Sequence, residues 1–308
     1  MKLLNSLTES EVKKNKLDLI DLHEKKKRPL ILDGAVGSLL QQNGVQTDSV
    51  LWSSLANLSN PEMVVQLHSD YIISGSEIIT TNTFRTNPNA FEQSNLKMTN
   101  EEFVRKSVQL AIEARGNNQI IIAGSNGPAE NCYQVERTIS KNKLEKNHKL
   151  HIEYLWNSGC DIVWNETQSH ADEIEIICKY CSNNSLPFAI NLYFDEALNL
   201  LSGESLGQIV ELIMSYSPST IGFNCIKPDL VYKYVRSYQI SYRFGLYFNC
   251  GTGKVTDLNL VCGIDPRDYL QVIKLLLEYD PLFVGSCCGS NPRHTKVIKE
   301  YFDEVYGC

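Results

Sequence analysis

Three cysteines stand where chemistry would be done. Cys225 follows the apolar run at 220–224, and Cys287 and Cys288 follow the run at 282–285. Three thiolates suit Zn2+, which takes soft ligands in a tetrahedron and in catalytic sites keeps one position open. Their spacing matches no finger or ribbon, so a second reading stays open, in which they are buried thiols acting as small hydrophobes. The glycines flanking Cys287 and Cys288 suggest a turn that aims both side chains one way. Asp33 and Glu166 are carboxylates at equivalent strand ends. Alone, Asp33 reads as the N-cap of a helix over 35–42 and Glu166 as an exposed loop acid. Together they suit a substrate ammonium group held by charge-assisted hydrogen bonds. His148 and His151 lie three apart on an expected helix and read as a solvated face, while His294 opens the last helix with no evident partner.

These residues need elements that bring them together. Short β-branched runs at 29–33, 76–81, 119–124, 161–165, 187–192, 220–224, 244–248 and 282–285 alternate with amphipathic stretches. The helical stretches are 61–74, 102–115, 147–158, 171–181, 206–215, 228–238, 266–279 and 292–302. Continuous apolar strands between helices argue for parallel βα units, and eight of them make a (β/α)8 TIM barrel. An open doubly wound sheet would place a glycine-rich phosphate turn after the first strand. What stands there is Asp33-Gly-Ala-Val-Gly-Ser, which lacks the G-x-G start. In a barrel the active site forms at the C-terminal ends of the strands. The motifs at those ends are polar, small or thiol-bearing, the fifth excepted. Residues 1–28 read as a charged lead-in and 29–308 as one barrel domain. The basic run Lys25-Lys26-Lys27-Arg28 reads as a solvated helix end, with a nuclear address as the competing reading.

Composition bounds the rest. Of 308 residues, 43% are apolar and 21% charged, which excludes a disordered chain. A net charge of −7 argues against a nucleic-acid partner, and no apolar run reaches spanning length, so no membrane segment is expected. The opening MKLLNSLTES has no signal-peptide core, which points to a cytoplasmic protein. The ten cysteines then read as reduced thiols rather than staples.

The motifs also carry a resemblance. Leu32-Asp33-Gly34-Ala35-Val36-Gly37-Ser38, Thr81-Asn82-Thr83-Phe84, Gly124-Ser125-Asn126-Gly127-Pro128, Glu166-Thr167-Gln168, Gly222-Phe223-Asn224-Cys225 and Gly285-Ser286-Cys287-Cys288-Gly289 run in order. From about residue 29 to 302 the chain resembles the homocysteine S-methyltransferase family. The resemblance implies a zinc-dependent barrel, with Cys225, Cys287 and Cys288 as metal ligands and with Asp33, Gly34 and Glu166 at the homocysteine. It further implies methyl transfer from a small sulfonium, S-methylmethionine or S-adenosylmethionine, making methionine. Two departures stand out: Ser286 occupies a usual glycine position, and Asn249-Cys250-Gly251-Thr252 replaces Asn-Ser-Gly-Glu. Cys250 is then either a fourth resting ligand or a stand-in for serine on the donor side. Thr81-Asn82-Thr83-Phe84 and Glu166-Thr167-Gln168 look more like the homocysteine module of cobalamin-dependent methionine synthase, so a module served by a separate corrinoid protein is the alternative. A zinc- and thiol-binding protein without turnover is the third.

Overall fold

Runs of Ile, Val, Leu and Phe form eight parallel strands in the structure, a computed structural model that describes residues 16–238, 240–252 and 261–307. The MKLLNSLTES stretch lies outside those residues. The strands are β1 (Leu30–Ile31), β2 (Ile78–Thr80), β3 (Ile121–Asn126), β4 (Ile162–Gln168), β5 (Phe188–Leu192), β6 (Thr220–Asn224), β7 (Phe244–Phe248) and β8 (Phe283–Ser286). Their order in the sheet is β1-β8-β7-β6-β5-β4-β3-β2, and a parallel bridge between Leu32 and Ile78 joins the two ends. The sheet is thereby closed into the expected (β/α)8 barrel.

The helices in chain order are α1 (Leu19–Lys26), α2 (Gly37–Gln42), α3 (Ala56–Ser59), α4 (Pro61–Ile73), α5 (Pro88–Gln93) and α6 (Asn100–Arg115). They continue as α7 (Lys141–Asn157), α8 (Ala171–Asn183), α9 (Leu206–Met214), α10 (Pro228–Ser237), α11 (Pro266–Leu276) and α12 (Pro292–Tyr306). Proline opens five of them, where its missing N–H is one of the orphan donors anyway. α7 starts well before residue 147 because Ser140 caps it, accepting from the Lys143 N–H.

The barrel interior is packed solid. The Trp164 and Phe283 rings lie 4.9 Å apart. A Cβ on Gly245 would sit 2.0 Å from a Phe283 ring carbon, so only glycine lets that ring fill the centre. At the opposite end from the site, α1 inserts Leu19 into the cluster of Leu30, Ile121, Ile162 and Leu282, all at or beside strand starts. Burying one such leucine contributes about 1.5–3 kcal/mol.

The basic run departs from the solvated reading. Lys26 stays half exposed, but Arg28 is 3% exposed. Its guanidinium forks onto Glu77, with both bonds at 2.8 Å, and Glu77 also accepts from the Ile31 N–H at 3.1 Å. The chain must pass inward from α1 to β1 at this point, and Glu77 supplies the counter-charge that makes burial tolerable. Burial alone would raise Glu77, but the bonds from Arg28 and Lys26 outweigh it and hold the acid below its ordinary value. No helix among the described residues is long and apolar enough to cross a membrane.

Removing one partner of a buried pair leaves an uncompensated charge. Glu77→Gln is therefore expected to lose about 3–5 kcal/mol of unfolding free energy in urea. A loss below about 1 kcal/mol would show that water compensates Arg28.

Candidate active site

Asp33 follows β1 and turns away from α2. That helix starts at Gly37 with Val36 at its cap position and no side-chain cap, so the capping role expected for Asp33 is not used. Its carboxylate instead reaches β2, accepting from the Thr80 N–H at 2.8 Å and from the Thr80 hydroxyl. A side chain on β2 outcompetes the local cap because the closed sheet brings Thr80 alongside. Glu166 sits at a register irregularity between β4 and β5, spanning Asn165 to Gln168. Such bulges re-aim a side chain, and here the carboxylate points into the mouth rather than out to solvent. It accepts from the Ser125 hydroxyl and, at 3.4 Å, from the Tyr247 hydroxyl. Burial pushes both acids up. Glu166 reaches about 7. Asp33 rises well above the carboxylate range, with the Glu166 charge adding to burial and the Thr80 bonds opposing it. Neither has an ion-pair partner among the described residues.

The three thiols converge as the sequence suggests. All three sulfurs lie within 4.8 Å of one another. Cys288 Sγ is 3.8 Å from Cys225 Sγ and 3.9 Å from Cys287 Sγ. Cys225 and Cys287 are in disulfide contact, a correction to the expectation of reduced thiols throughout. The same convergence that suits a soft metal lets two sulfurs bond. The positions are built from backbone. Cys225 adopts φ 55°, and Cys287 donates its N–H to Phe248 O at 2.7 Å. Gly289 closes the turn at φ +83°, where a Cβ would strike Gly251 at 2.5 Å. Burial pushes the Cys288 thiol up to about 12, with the nearby Cys132 and Glu166 adding to it, so without a cation this thiol keeps its proton. A soft divalent cation removes that penalty, and three converged sulfurs are the donor set zinc prefers.

Cys250 stands apart from the trio. It is 2% exposed, its thiol lies 3.7 Å from Phe248 O, and its N–H bonds to Cys288 O at 2.8 Å. Its backbone shapes the Cys288 turn while its thiol packs in the outer core.

Acids and thiols line one cavity of about 630 Å³. Gly34 also lines it, and a Cβ there would strike the Ser290, Tyr71 and Ser286 hydroxyls at 2.5–2.8 Å, so the turn after β1 admits only glycine. Trp52, Arg85, Tyr133 and Tyr247 also line it, and the sequence reading named none of them. Trp52 and Phe84 meet edge to face at 6.4 Å. Asp48 holds the Trp52 loop by accepting from the N–H groups of Val50 and Trp52. Trp52, Arg85 and Tyr133 sit in the loops after β1, β2 and β3, where no strand or helix period marks them, and Tyr247 points in from β7.

The histidines correct another expectation. His148 and His151 are fully buried, not on a solvated face. They fall on the Leu144–Ile152–Leu155 stripe of α7, a spacing the sequence already carried. Asn126 bonds to both rings, Thr86 to His151 at 2.9 Å, and Glu173 to His148 at 2.6 Å. Burial alone would raise Glu173, yet His148, Arg137 and the Ala129 N–H pull it down to about 2. This network braces the loop after β3 that carries Tyr133. His294 does find partners: Nε2 lies 3.1 Å from Ile264 O, and Nδ1 accepts from the Asn291 N–H. Cys178 and Cys181, a C-x-x-C spacing on α8 that the sequence reading passed over, are buried among core aliphatics far from the trio in the barrel's outer layer.

The homocysteine S-methyltransferase family profile matches residues 30–302. Homocysteine S-methyltransferase 2 of Zea mays is 22% identical over 299 residues, covering 87% of this chain and 88% of that one. A betaine-homocysteine S-methyltransferase of Drosophila melanogaster is 27% identical over 318 residues, covering 89% and 94%. The metallated form of the homocysteine methyltransferase MmuM from Escherichia coli shares the fold, with a TM-score of 0.78 at 22% identity, over 92% of this chain and 100% of that one. With the match running from β1 into α12, this chain belongs to the homocysteine S-methyltransferase family, and it is a methyltransferase.

Proposed function

We propose that this enzyme makes methionine by moving a methyl group from a small sulfonium, S-methylmethionine or S-adenosylmethionine, to homocysteine at a three-thiolate zinc site. One observation carries the reading: a single cavity holds three converged sulfurs and two carboxylates that lack a cation. Zinc held by Cys225, Cys287 and Cys288 would supply a Lewis acid that keeps an incoming thiol deprotonated. Asp33 and Glu166 take the homocysteine ammonium, which relieves the repulsion between them. Gly34 lets the turn after β1 pack against Ser286, Ser290 and Tyr71 beside the amino-acid site.

The transfer is an in-line displacement. The thiolate sulfur of homocysteine donates an electron pair to the methyl carbon. The donor's S–CH3 bond breaks, and its pair stays on the donor sulfur, which departs as a neutral thioether. A thiolate and a sulfonium become two neutral thioethers with no proton moved, so no histidine is needed at the sulfur. The residues' task is alignment. Trp52 and Phe84 line the cavity, and an aromatic ring face stabilises a sulfonium placed over it. We further propose a cytoplasmic setting, because the site works with reduced thiols.

The direct test is methionine formation by the zinc-loaded, reduced protein from homocysteine with each of S-methylmethionine, S-adenosylmethionine and methylcobalamin. Turnover with a sulfonium is expected. Turnover with methylcobalamin alone would replace this reading by a module served by a corrinoid protein.

Zinc-edge absorption should count three protein sulfurs, rising to four with homocysteine. Cys250→Ser should leave both counts unchanged. A fall of one sulfur in the resting variant would make Cys250 a ligand.

The ammonium pairs with ionised Glu166. Homocysteine affinity should therefore rise as pH goes up through about 7. The same shift works against folding. Between its ordinary value of 4.5 and about 7 the folded protein keeps a proton that the unfolded chain releases, so this group's contribution to stability falls as pH rises across that window. Calorimetric titration of Glu166→Gln should show weaker binding, retained zinc and no inflection near pH 7. An unchanged inflection would assign it to another group.

A further inference from the structure

We propose that Arg85 receives the α-carboxylate of the methyl donor, at the seam between the active cavity and a second cavity beside it; this rests on the sulfonium-donor reading above. The second cavity has a volume of about 480 Å³ and shares Ser49, Arg85 and Asn131 with the first. Its remaining wall is mostly polar, with Asn89, Gln93, Gln134 and Glu130 beside Val50, Ala90, Ala129 and Ile139. Arg85 is the only cationic side chain lining the active cavity among the described residues.

Its guanidinium is held but not used up. Nη1 donates to Glu130 O at 2.9 Å, the backbone N–H reaches the Ser54 hydroxyl at 3.4 Å, and the head lies 5.9 Å from the Phe84 ring centre. Nε and Nη2 make no bond among the described residues. Among the described residues no acid forms an ion pair with the head. The Glu130 carboxylate accepts from the N–H groups of Thr138 and Ile139 instead. The Asp48 carboxylate is taken up by its own loop. Lys143, the other cation of the second cavity, is paired with Glu92 at 3.1 Å.

An unopposed guanidinium beside aromatic rings repels a bare cation. A sulfonium amino acid resolves this, because it carries its own carboxylate a short carbon chain away from the sulfur. With the sulfonium against Phe84, the carboxylate falls to the neighbouring residue, whose planar fork matches it. The donor's amino-acid head then occupies the polar second cavity, while the homocysteine head stays with Asp33 and Glu166.

The α-carboxylate could come from either amino acid, and the experiment separates them. Calorimetry on zinc-loaded protein without turnover would measure binding of S-methylmethionine, its carboxamide and homocysteine to wild type, R85Q and R85K. Wild type should bind S-methylmethionine about tenfold more tightly than the carboxamide. R85Q should bind the two alike, R85K should keep part of the preference, and homocysteine binding should stay within about twofold throughout. The proposal is overturned if wild type does not discriminate, if R85Q still does, if R85Q loses homocysteine instead, or if neither sulfonium compound binds. If Arg85-dependent binding of S-methylmethionine occurs but no methyl is transferred, the donor reading fails, and with it the donor role of this site, while Arg85 is kept as a carboxylate anchor for a sulfonium amino acid. If transfer occurs without Arg85-dependent discrimination, only this proposal fails.

Discussion

Asn224 and Thr167 hold each other across the mouth of the barrel. Asn224 accepts from the Thr167 N–H at 3.0 Å and donates to the Thr167 hydroxyl at 2.9 Å. They belong to β6 and β4, which are not neighbours, since β5 runs between them. Two residues beside the site adopt left-handed backbone, Thr167 after Glu166 and Cys225 after Asn224, both at φ 55°. Such conformations cost of order 1–3 kcal/mol each and persist only where surroundings over-determine them. The reciprocal amide–threonine pair is that surrounding. It fixes the end of the acid strand and the end of the thiol strand with one pair of bonds.

The site depends on a second constraint, which is electrostatic. Buried acids are tolerated when paired, as the fold shows elsewhere: Glu77 sits on Arg28, and Glu173 on His148 and Arg137. Asp33 and Glu166 are given only hydroxyls and a single backbone N–H. Among the described residues no lysine pairs with either. Burial raises both acids, and under the proposed function an ammonium ligand would supply the cation that favours their ionised forms. The same contrast separates the thiols. Cys160, Cys178 and Cys181 are buried singly against aliphatics, while three others are brought together at the mouth.

Much of this was legible in the residues. The β6 and β7 bounds follow directly from their β-branched and aromatic runs, because strands buried on both faces admit little else. Asp33, Glu166 and the cysteines were visible because reactive types at strand ends are unusual on an apolar scaffold. What was illegible depended on contacts between distant segments. The Asp33 cap was a sound local reading, defeated by Thr80, 47 residues away. Arg28 looked solvated until Glu77 was placed beside it. Asn224 appeared only as a neighbour of Cys225, since nothing in one strand shows which residue faces it across the mouth. The His148 and His151 stripe was readable but was outweighed by the usual exposure of histidine. Trp52, Arg85 and Tyr133 lie in loops, where no period announces a role.

Under the proposed chemistry the two halves of the cavity have opposite tasks. The reaction removes one negative and one positive charge, so charge is lost on the way to the transition state. A water-filled mouth would stabilise the separated ions and slow the step. The lining instead divides into charged side chains, Asp33, Asp48, Glu166 and Arg85, and the rings of Trp52, Phe84, Tyr133 and Tyr247, and in the proposed chemistry Asp33, Glu166 and Arg85 are the end groups. The end groups bind the parts of two amino acids that do not react. The aromatic groups surround the parts that do. Cys250 fits the same division, because its thiol is kept in the outer core while its backbone braces Cys288. Three sulfurs at the centre, rather than four, leave the fourth tetrahedral position to the acceptor.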